Sequence, residues 1–305
     1  MAPVARLLDQ RVQNSLRRLE WQLRHRRVEA PLAGENQSVF RGRGMEFDQV
    51  VRYAFGDDIR DVDWNVTARL GDLHRKLFVE EREATIVVVV SDDPALQFGS
   101  GATSKRDILL ELAGLTLMLG VITRARAGLL HATPSASRFF APTRRRAQIL
   151  ASVAALFAAP TPDPTAGSGG TFSPLVRHPL PRAATVVWLG EVPSVMPPAE
   201  WVAFRRRHQV IGIRVEDEWE RTGPSGSGLV AYDPTIHDLV RLDGSTAGRA
   251  AHARWREARE QRWSAWWPDP ASRLVVDAHA DPLDALVGFL RSRSPAGRRP
   301  TVYAR

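Results

Sequence analysis

The sequence predicts an α/β protein built on a doubly wound, mostly parallel β-sheet. Residues 85–90 form a continuous β-branched run, which is typical of a strand buried on both faces of a parallel sheet. Residues 105–125 follow with apolar side chains on nearly every side, as in a helix that covers a sheet inside a domain. Strand and helix patterns then alternate along the chain, which indicates a doubly wound sheet.

The same kinds of pattern predict the remaining elements of this domain. Short apolar and β-branched runs predict strands at residues 128–132, 137–141, 184–189, 210–215 and 273–277. Helical spacing predicts helices at residues 144–158, 198–207 and 281–291. A hairpin is expected at residues 229–242, followed by a helix that carries Trp255, Trp263, Trp266 and Trp267. The glycine- and proline-rich stretch 160–181 is expected to be a loop.

The N-terminal part of the chain has a different pattern. Apolar side chains recur at helical spacing from Val4 to Leu23 with arginines between them, which predicts a basic amphipathic helix. Residues 35–83 are polar and punctuated by glycine, with strand-like patches only at 50–55 and 77–80, and we interpret them as a surface platform. The expected domains are residues 1–83 (helix and platform), residues 84–292 (α/β domain with a hairpin insertion at 228–242) and a basic tail, residues 293–305.

Composition excludes several kinds of site. The 305 residues include no cysteine, so disulfides, thiolate metal centres and cysteine nucleophiles are excluded. Charged residues recur before an apolar run of signal-peptide length builds up at the N-terminus. The most apolar stretch, residues 108–123, contains Glu111 and is shorter than the roughly 20 residues that cross a bilayer. We therefore expect a cytoplasmic protein, with attachment to the inner face of the membrane as the alternative.

The formal net charge is +8, and arginine carries nearly all of the positive charge. Arginines cluster at residues 144–146, at residues 205–207 and near the C-terminus, and such clusters can attract phosphate or acidic partners. Solvated helix faces and a basic tail are the favoured interpretation, because no aromatic residues are interleaved for base stacking. Binding to an anionic membrane surface or to nucleic acid is the alternative.

An ordered series of motifs lies in residues 35–100. It comprises Gly44, Glu46, Phe47, Arg52, Tyr53, Gly56, Asp57, Asp58, Arg60, Asp63, Trp64, Ala68 and Arg69. The series continues with Phe98-Gly99, Arg206-Arg207-His208-x-Val210 and Asp233-Pro234. With these motifs the chain resembles, over most of its length, the bacterial family called domain of unknown function 58. The resemblance implies a von Willebrand factor A-like fold and an adaptor or co-chaperone that works with a MoxR-type AAA+ ATPase or its client protein. The partner-binding candidates are the motif residues from Gly44 to Arg69 other than Ala68.

The loop after the first buried strand is the expected metal site of that fold. Domains of this kind commonly bind Mg²⁺ through Asp-x-Ser-x-Ser, since a hard cation prefers carboxylate and hydroxyl oxygens. Here the loop reads Ser91-Asp92-Asp93-Pro94-Ala95, which lacks the first carboxylate and the last hydroxyl. Glu191 follows a later strand, where the family usually has Ser-Asp. We expect a degenerate site without metal or other cofactor; Mg²⁺ held by Ser91, Asp93 and Glu191 is the alternative.

Four aspartates, Asp57, Asp58, Asp61 and Asp63, lie close together in the platform. A metal-dependent hydrolase can use such a cluster. However, the neighbouring Arg52, Arg60 and Arg69 favour carboxylate–guanidinium pairs that fix loops in shape or dock a partner. No histidine, general base or nucleophile accompanies the aspartates as an active site requires. Trp64 is either an interface anchor or a core residue that closes the platform onto the sheet.

No catalytic motif accounts for an activity of the chain. The sequence contains no Gly-x-x-x-x-Gly-Lys phosphate loop, no Gly-x-Ser-x-Gly elbow and no His-Glu-x-x-His. The non-enzymatic protein-interaction adaptor that the family resemblance implies is therefore the favoured prediction. A peripheral membrane or nucleic-acid binder is the second hypothesis, and a metal-dependent hydrolase that uses the Asp57–Asp63 cluster is the least favoured.

Overall fold

The computed structural model of the chain describes residues 17, 21, 45–55, 57–80, 84–101, 103–163, 175, 178, 180, 181, 183–223, 229–233 and 238–293. Two compact units meet in sequence between Glu83 and Ala84. Residues 34–83 form the first, which we call the platform unit, and the second contains the large β-sheet. The helix predicted at 4–23 and the loop predicted at 160–181 lie mostly outside the described residues, as does the tail beyond Arg293. Gly44 and Gly56 lie outside them too.

The platform unit contains an antiparallel pair of strands with a short helix between them in sequence. β1 spans Met45–Arg52, α1 spans Trp64–Leu70 and β2 spans His74–Glu80. The strand patches predicted at 50–55 and 77–80 overlap β1 and β2. β1 ends before the predicted position because Tyr53 and Ala54 turn towards Asp57: the Tyr53 hydroxyl donates to the Asp57 carbonyl and the Ala54 N–H donates to the Asp57 carboxylate.

α1 was absent from the sequence prediction because it is shorter than the window in which helical periodicity shows. Its ends follow local rules. The Asp63 carboxylate accepts hydrogen bonds from the N–H groups of Asn65 and Val66, which caps the first turn. Gly71 ends the helix with a φ of 81°, a left-handed conformation that favours glycine. The Asp63 side chain therefore has a structural role in the platform unit, as the N-cap of α1.

The second unit contains a six-stranded sheet and a separate hairpin. Its strands are β3 (Thr85–Ser91), β4 (Arg126–Ala132), β5 (Ser137–Thr143), β6 (Thr185–Gly190), β7 (Gln209–Glu216), β8 (Leu229–Asp233), β9 (Asp238–Leu242) and β10 (Arg273–Asp277). The sheet order is β10-β7-β6-β3-β4-β5, and β8 pairs with β9 alone. All neighbouring strands of the sheet are parallel except β4 and β5. The predicted mostly parallel sheet is confirmed.

Helices lie along both faces of this sheet. They are α2 (Lys105–Ile122), α3 (Arg146–Phe157), α4 (Ala199–Arg207), α5 (Glu218–Thr222), α6 (Thr246–Trp266) and α7 (Pro282–Ser292). α2 begins with a capping box, in which Ser104 and Asp107 each bind the other's backbone N–H. In the part of the chain that the structure describes, no helix combines the length and apolarity needed to span a membrane.

Two apolar clusters show how the sheet is covered. Successive side chains of a strand point to opposite faces, so Val88 and Val90 pack with α2, α3 and α7, whereas Val87 and Val89 pack on the other face. The second cluster is rich in tryptophan and contains Trp188, Trp201, Trp263, Trp266 and Trp267. A Cβ atom at Gly212 would lie 2.6 Å from the Trp267 ring, so glycine lets the ring lie against β7. Burial on both faces explains the unbroken apolar run of β3.

Candidate functional site

The strand order places a candidate crevice at the carboxyl ends of β3 and β6. The chain runs from β3 through α2 to β4 on one side, and from β6 through α4 to β7 on the other. In open α/β sheets, ligands bind beyond the carboxyl strand ends at such a switch of direction. Ser91 and Gly190 are paired at this point, and a Cβ atom at Gly190 would lie 2.6 Å from the Ser91 Cβ. The loops after β3, β6 and β7 therefore line the candidate site.

The two aspartates after β3 are held by the protein itself. The buried Asp92 carboxylate accepts two hydrogen bonds from the Arg106 guanidinium, both 2.8 Å long, and lies 2.9 Å from the His131 Nε2 atom. Asp93 caps a short 3-10 helix, Pro94–Gln97, by accepting from the Ala95 N–H at 2.9 Å. Both side chains have structural partners within the loop or next to it. Asp93 is thus fixed by backbone capping, a role that the sequence prediction did not assign to it.

A buried lysine lies beside Glu191, one of the three residues that the sequence analysis named as ligands of an alternative Mg²⁺ site. Lys105, the first residue of α2, is 1% exposed. Its Nζ atom donates to Glu191 Oε2 at 2.8 Å and to Glu220 Oε1 at 2.7 Å. Glu191 follows β6 and Glu220 lies in α5, after β7, so one ammonium joins the loops beyond two strands. A positive charge is therefore present at this crevice without a bound ion.

Arg259 of α6 adds a second positive charge to the same carboxylates. Its Nε and Nη2 atoms donate to Glu191 Oε1 at 3.0 and 2.7 Å, and its Nη1 atom donates to Glu216 Oε1 at 3.1 Å. We call Lys105, Glu191, Glu216, Glu220 and Arg259 the ionic cluster. Two cations and three carboxylates give the cluster a formal charge of −1, and Arg214 lies 3.8 Å from Glu216 at its edge. The fork of Arg259 binds its two carboxylates in a way that a lysine could not.

Mutual attraction keeps these groups ionised. Burial would raise the pKa of Glu191, but Arg259 and Lys105 hold it well below its usual range. Burial would lower the pKa of Lys105, but the negative charges of Glu191 and Glu220 raise it. The pKa of Arg259 is likewise raised by Glu191 and Glu220 against the effect of burial. Glu191, Lys105 and Arg259 therefore stay charged at neutral pH.

Asp217 connects the loop after β3 to the end of β7. Its buried carboxylate accepts from the Ser100 N–H at 2.9 Å, from the Ser100 hydroxyl at 2.7 Å and from the Trp219 N–H at 2.9 Å. Burial would raise the pKa of Asp217, but the hydrogen bonds from Ser100 and Trp219 lower it. The loop is thus held to β7 by an ionised carboxylate.

These contacts do not fit the Mg²⁺ site that the resemblance implies. A magnesium site needs several oxygen ligands in near-octahedral array. Asp93 caps a helix here, and the carboxylate of Glu191 is bound by an ammonium and a guanidinium. Among the residues that the structure describes, no three histidine, aspartate or glutamate side chains gather in a metal-binding arrangement. Ser91, Asp93 and Glu191 therefore do not form a set of magnesium ligands in this geometry.

The platform aspartates are used one by one in local contacts. Asp57 lies 2.8 Å from the Arg75 Nε atom, and Asp58 accepts from the backbone N–H and the guanidinium of Arg60. Asp63 caps α1 and lies 3.7 Å from the Lys76 Nζ atom. The hydrogen bond that the Val66 N–H donates to Asp63 is the largest cause of the lowered pKa of Asp63. Of the arginines that the sequence analysis placed beside this cluster, Arg60 binds Asp58, whereas Arg52 pairs with Asp72.

Other signature residues of the platform lie at its surface. Arg52 forms an exposed ion pair with Asp72, and Arg69 is exposed near the end of α1. The Trp64 side chain is 64% exposed, so it is not part of the platform unit's own core. Five large apolar side chains are exposed within this short unit: Phe55, Ile59, Trp64, Leu70 and Leu73. We call these five residues the apolar patch. The side chains of Glu46 and Phe47 are not among those that the structure describes.

Sequence reasoning missed four members of the ionic cluster: Lys105, Glu216, Glu220 and Arg259. Their partners are distant in sequence, with 86 positions between Lys105 and Glu191 and 68 between Glu191 and Arg259. One signal was present. Lysine occurs only at positions 76 and 105 among 42 lysines and arginines, and Lys105 stands at the start of a long apolar helix.

The structure defines a mixed α/β protein with a mostly parallel sheet flanked by helices. Within that class, the chain belongs to the family described as protein of unknown function DUF58, whose profile matches residues 49–263. The assignment made from the motifs is therefore confirmed. Over 235 residues the chain is 28% identical to uncharacterized proteins of Mycobacterium bovis and Mycobacterium tuberculosis, an alignment that covers 74% of this chain and 71% of each relative.

Solved structures give weaker similarities. The conserved hypothetical protein BatB from Bacteroides thetaiotaomicron aligns with a TM-score of 0.41 at 9% identity and covers 69% of this chain and 98% of that one. The pilus adhesin SpaC from Lactobacillus rhamnosus GG aligns with a TM-score of 0.37 at 10% identity, over 70% of this chain and 30% of that one. Both scores are too low to establish a shared fold.

Proposed function

We propose that this chain is a non-enzymatic adaptor with a von Willebrand factor A-like domain, and that its platform unit binds a MoxR-type AAA+ ATPase or that ATPase's client protein. The observation that carries the proposal is the apolar patch. All five exposed side chains fall within residues 55–73, and exposed apolar surface marks interaction sites where it is contiguous. Tryptophan is enriched among the residues that dominate binding energy, and Trp64 is a signature residue of the family motif.

Charge limits the kind of partner that suits the platform unit. Residues 45–80 contain five lysines and arginines and eight aspartates and glutamates, so their net charge is 5 − 8 = −3, whereas the whole chain carries +8. A partner surface that combines apolar side chains with lysine or arginine is complementary to it. Complementary potentials raise association rates and exclude wrong partners, while apolar contacts in the centre of an interface supply most of the affinity.

The ionic cluster supports binding without a metal ion. In a metal-dependent adhesion site, the cation is shared with a carboxylate of the partner. Here both oxygens of the Glu191 carboxylate are already bound by Lys105 and Arg259, so this carboxylate is not free to bind a shared cation. The crevice is held in one shape by the chain's own cations, and partner binding is assigned to the platform unit.

Co-purification of the full chain with a MoxR-type ATPase from the same genome tests the proposal. We expect the tagged chain to retain the ATPase in the presence of EDTA. Trp64→Ala should weaken binding about 30-fold, which corresponds to a hot-spot loss of about 2 kcal/mol. Met196→Ala is the matched control, because Met196 in the other unit is 62% exposed against 64% for Trp64.

The opposite results would overturn the adaptor proposal. They are the absence of a retained ATPase or client at low salt, and equal binding by wild-type chain and Trp64→Ala. Loss of binding on addition of EDTA would overturn the metal-free part alone. The hydrolase hypothesis receives no support from the platform contacts, since Asp57, Asp58 and Asp63 are each engaged with different local partners.

A further inference from the structure

A cavity of about 560 Å³ lies next to the ionic cluster, lined by the end of β7, by α5 and by α6. Small-molecule sites in proteins typically measure about 300–1,000 Å³. Five arginines line this cavity: Arg214, Arg221, Arg249, Arg256 and Arg259. Three glutamates, Glu216, Glu257 and Glu260, also line it, so the formal charge of the lining is 5 − 3 = +2.

Three of the arginines have carboxylate partners. Arg214 donates to Glu260 at 2.6 Å, Arg259 to Glu216 at 3.1 Å and Arg221 to Asp277 at 2.6 Å. The hydrogen bond that Arg221 donates to Asp277, followed by the negative charge of Asp277, raises the pKa of Arg221. These ion pairs form part of the cavity wall. The other two arginines of the lining are Arg249 and Arg256.

Arg249 and Arg256 are oriented by carbonyl oxygens instead. Arg256 Nη1 donates to the Arg221 carbonyl at 2.7 Å, and Arg249 Nη1 donates to the Gly244 carbonyl. Within the described residues, neither arginine has a carboxylate ion-pair partner. A carbonyl orients a guanidinium without neutralising it, and four further N–H donors of each group are left. Two positive charges, two turns apart on α6, are therefore oriented at the cavity with N–H donors to spare.

The face of α6 that lines the cavity is polar where a packed helix is usually apolar. Arg249, His252, Arg256 and Glu260 follow one another at helical spacing, and all line the cavity. Further along the same helix, Trp263 and Trp266 are buried against the sheet in the ordinary way. His252 Nε2 is buried and has no hydrogen-bond partner within the described residues. A polar lining that packing does not explain favours a polar occupant.

We propose that this cavity binds a small molecule carrying two or more oxyanion groups, held by Arg249 and Arg256. Guanidinium groups bind the paired oxygens of phosphates and carboxylates through two parallel hydrogen bonds. Both ligand classes share this chemistry. The site is independent of the proposed docking function, because all the lining residues lie in the unit that contains the large sheet.

Calorimetric titration of the full chain with pyrophosphate and, separately, with citrate tests the proposal at constant ionic strength, with chloride as the reference. We expect saturable binding to one or both, with tighter pyrophosphate binding identifying a phosphate ligand and tighter citrate binding a polycarboxylate. The double variant Arg249→Ala/Arg256→Ala should bind about tenfold or more weakly, because it loses both fixed charges. Arg138→Ala/Arg254→Ala is the matched control, since it removes two exposed arginines that do not line the cavity and should bind like wild type.

Three results would overturn the proposal. One is the absence of saturable heat beyond the chloride reference for both anions. Another is equal affinity of wild type and the Arg249→Ala/Arg256→Ala variant. The third is binding of polyglutamate but not of the small anions, which would mark an acidic protein partner instead. Arg249 and Arg256 are both exposed, so the double variant is expected to fold, and circular dichroism checks that it has done so.

Discussion

Replacing Lys105 with methionine should destabilise the large unit by about 3 kcal/mol. Methionine is close to lysine in length but has no charge, so the change removes the ammonium from a position that is 1% exposed. Removing one partner of a buried ion pair costs about 3–5 kcal/mol, because the other charge stays buried without compensation. The lower end applies here. Glu191 keeps two hydrogen bonds from Arg259, and Glu220 keeps the Asp217 N–H at 3.0 Å.

Urea denaturation followed by tryptophan fluorescence measures this loss, because Trp263, Trp266 and Trp267 are buried in the same unit. For a unit of this size, about 3 kcal/mol corresponds to a fall of roughly 6–12 °C in Tm. The matched control is Lys76→Met. Lys76 is the chain's other lysine, its side chain is 43% exposed and it lies 3.7 Å from Asp63, so its removal should cost less than about 1 kcal/mol.

A double-mutant cycle with Glu220→Gln separates the ion pair from simple loss of packing. If the ammonium and the Glu220 carboxylate interact as the 2.7 Å distance indicates, the two losses will not add, and the coupling free energy should be about 1–3 kcal/mol. Additive losses, or a cost for Lys105→Met that equals the cost for Lys76→Met, would refute the view that Lys105 neutralises the crevice.

Three further predictions concern the same unit. Asp217→Asn should lower stability at pH 7 by about 1–3 kcal/mol. The folded pKa of Asp217 is depressed, so its contribution is present above the unfolded pKa of about 3.9 and is lost as the pH falls through the folded pKa. The free energy of unfolding of the variant should therefore depend less on pH than that of wild type as the pH falls below about 4. Gly212→Ala should lower the free energy of unfolding by about 1–3 kcal/mol in a thermal melt, because the new Cβ would lie 2.6 Å from the Trp267 ring. Gly288→Ala is the control: its Cβ position is open, so the change should be neutral or stabilising. Calorimetric titration of the wild-type chain with Mg²⁺ or Mn²⁺ should show no saturable binding, and micromolar binding that Asp93→Ala abolishes would contradict the metal-free site.

The parts of the fold that were predictable are those whose signal is local. The run at residues 85–90 identified the central strand because burial on both faces demands continuous apolar side chains. The sequence pattern of residues 229–242 also predicted the antiparallel pair of strands β8 and β9. α1 and α5 were missed because helices of seven and five residues show no period, and they depend on caps at Asp63 and Asp217.

The ionic cluster was not predictable for a different reason. Its members come together only in the folded chain, where the ends of β6 and β7 lie next to α2 and α6. No spacing of residues along the sequence predicts this arrangement. Glu191 was correctly singled out as a charged residue at the crevice. The sequence analysis considered a metal ion as its partner, because the family resemblance implies a metal site formed by the loops after neighbouring strands. In the structure the partners of Glu191 are two side-chain cations, Lys105 and Arg259.

The use of lysine at position 105 follows from the geometry of the crevice. Arginine is the general cation of this chain, and Arg259 uses its planar fork to bind two carboxylates from one side. Lys105 enters from the first turn of α2 and must reach Glu191 and Glu220 from a buried position, where a compact ammonium fits and a guanidinium would need more space. A small, buried positive charge bound by two carboxylates at the ends of parallel strands performs the electrostatic task of a bound cation. This is the reason why the proposed function assigns partner binding to the platform unit and not to a metal ion at the crevice.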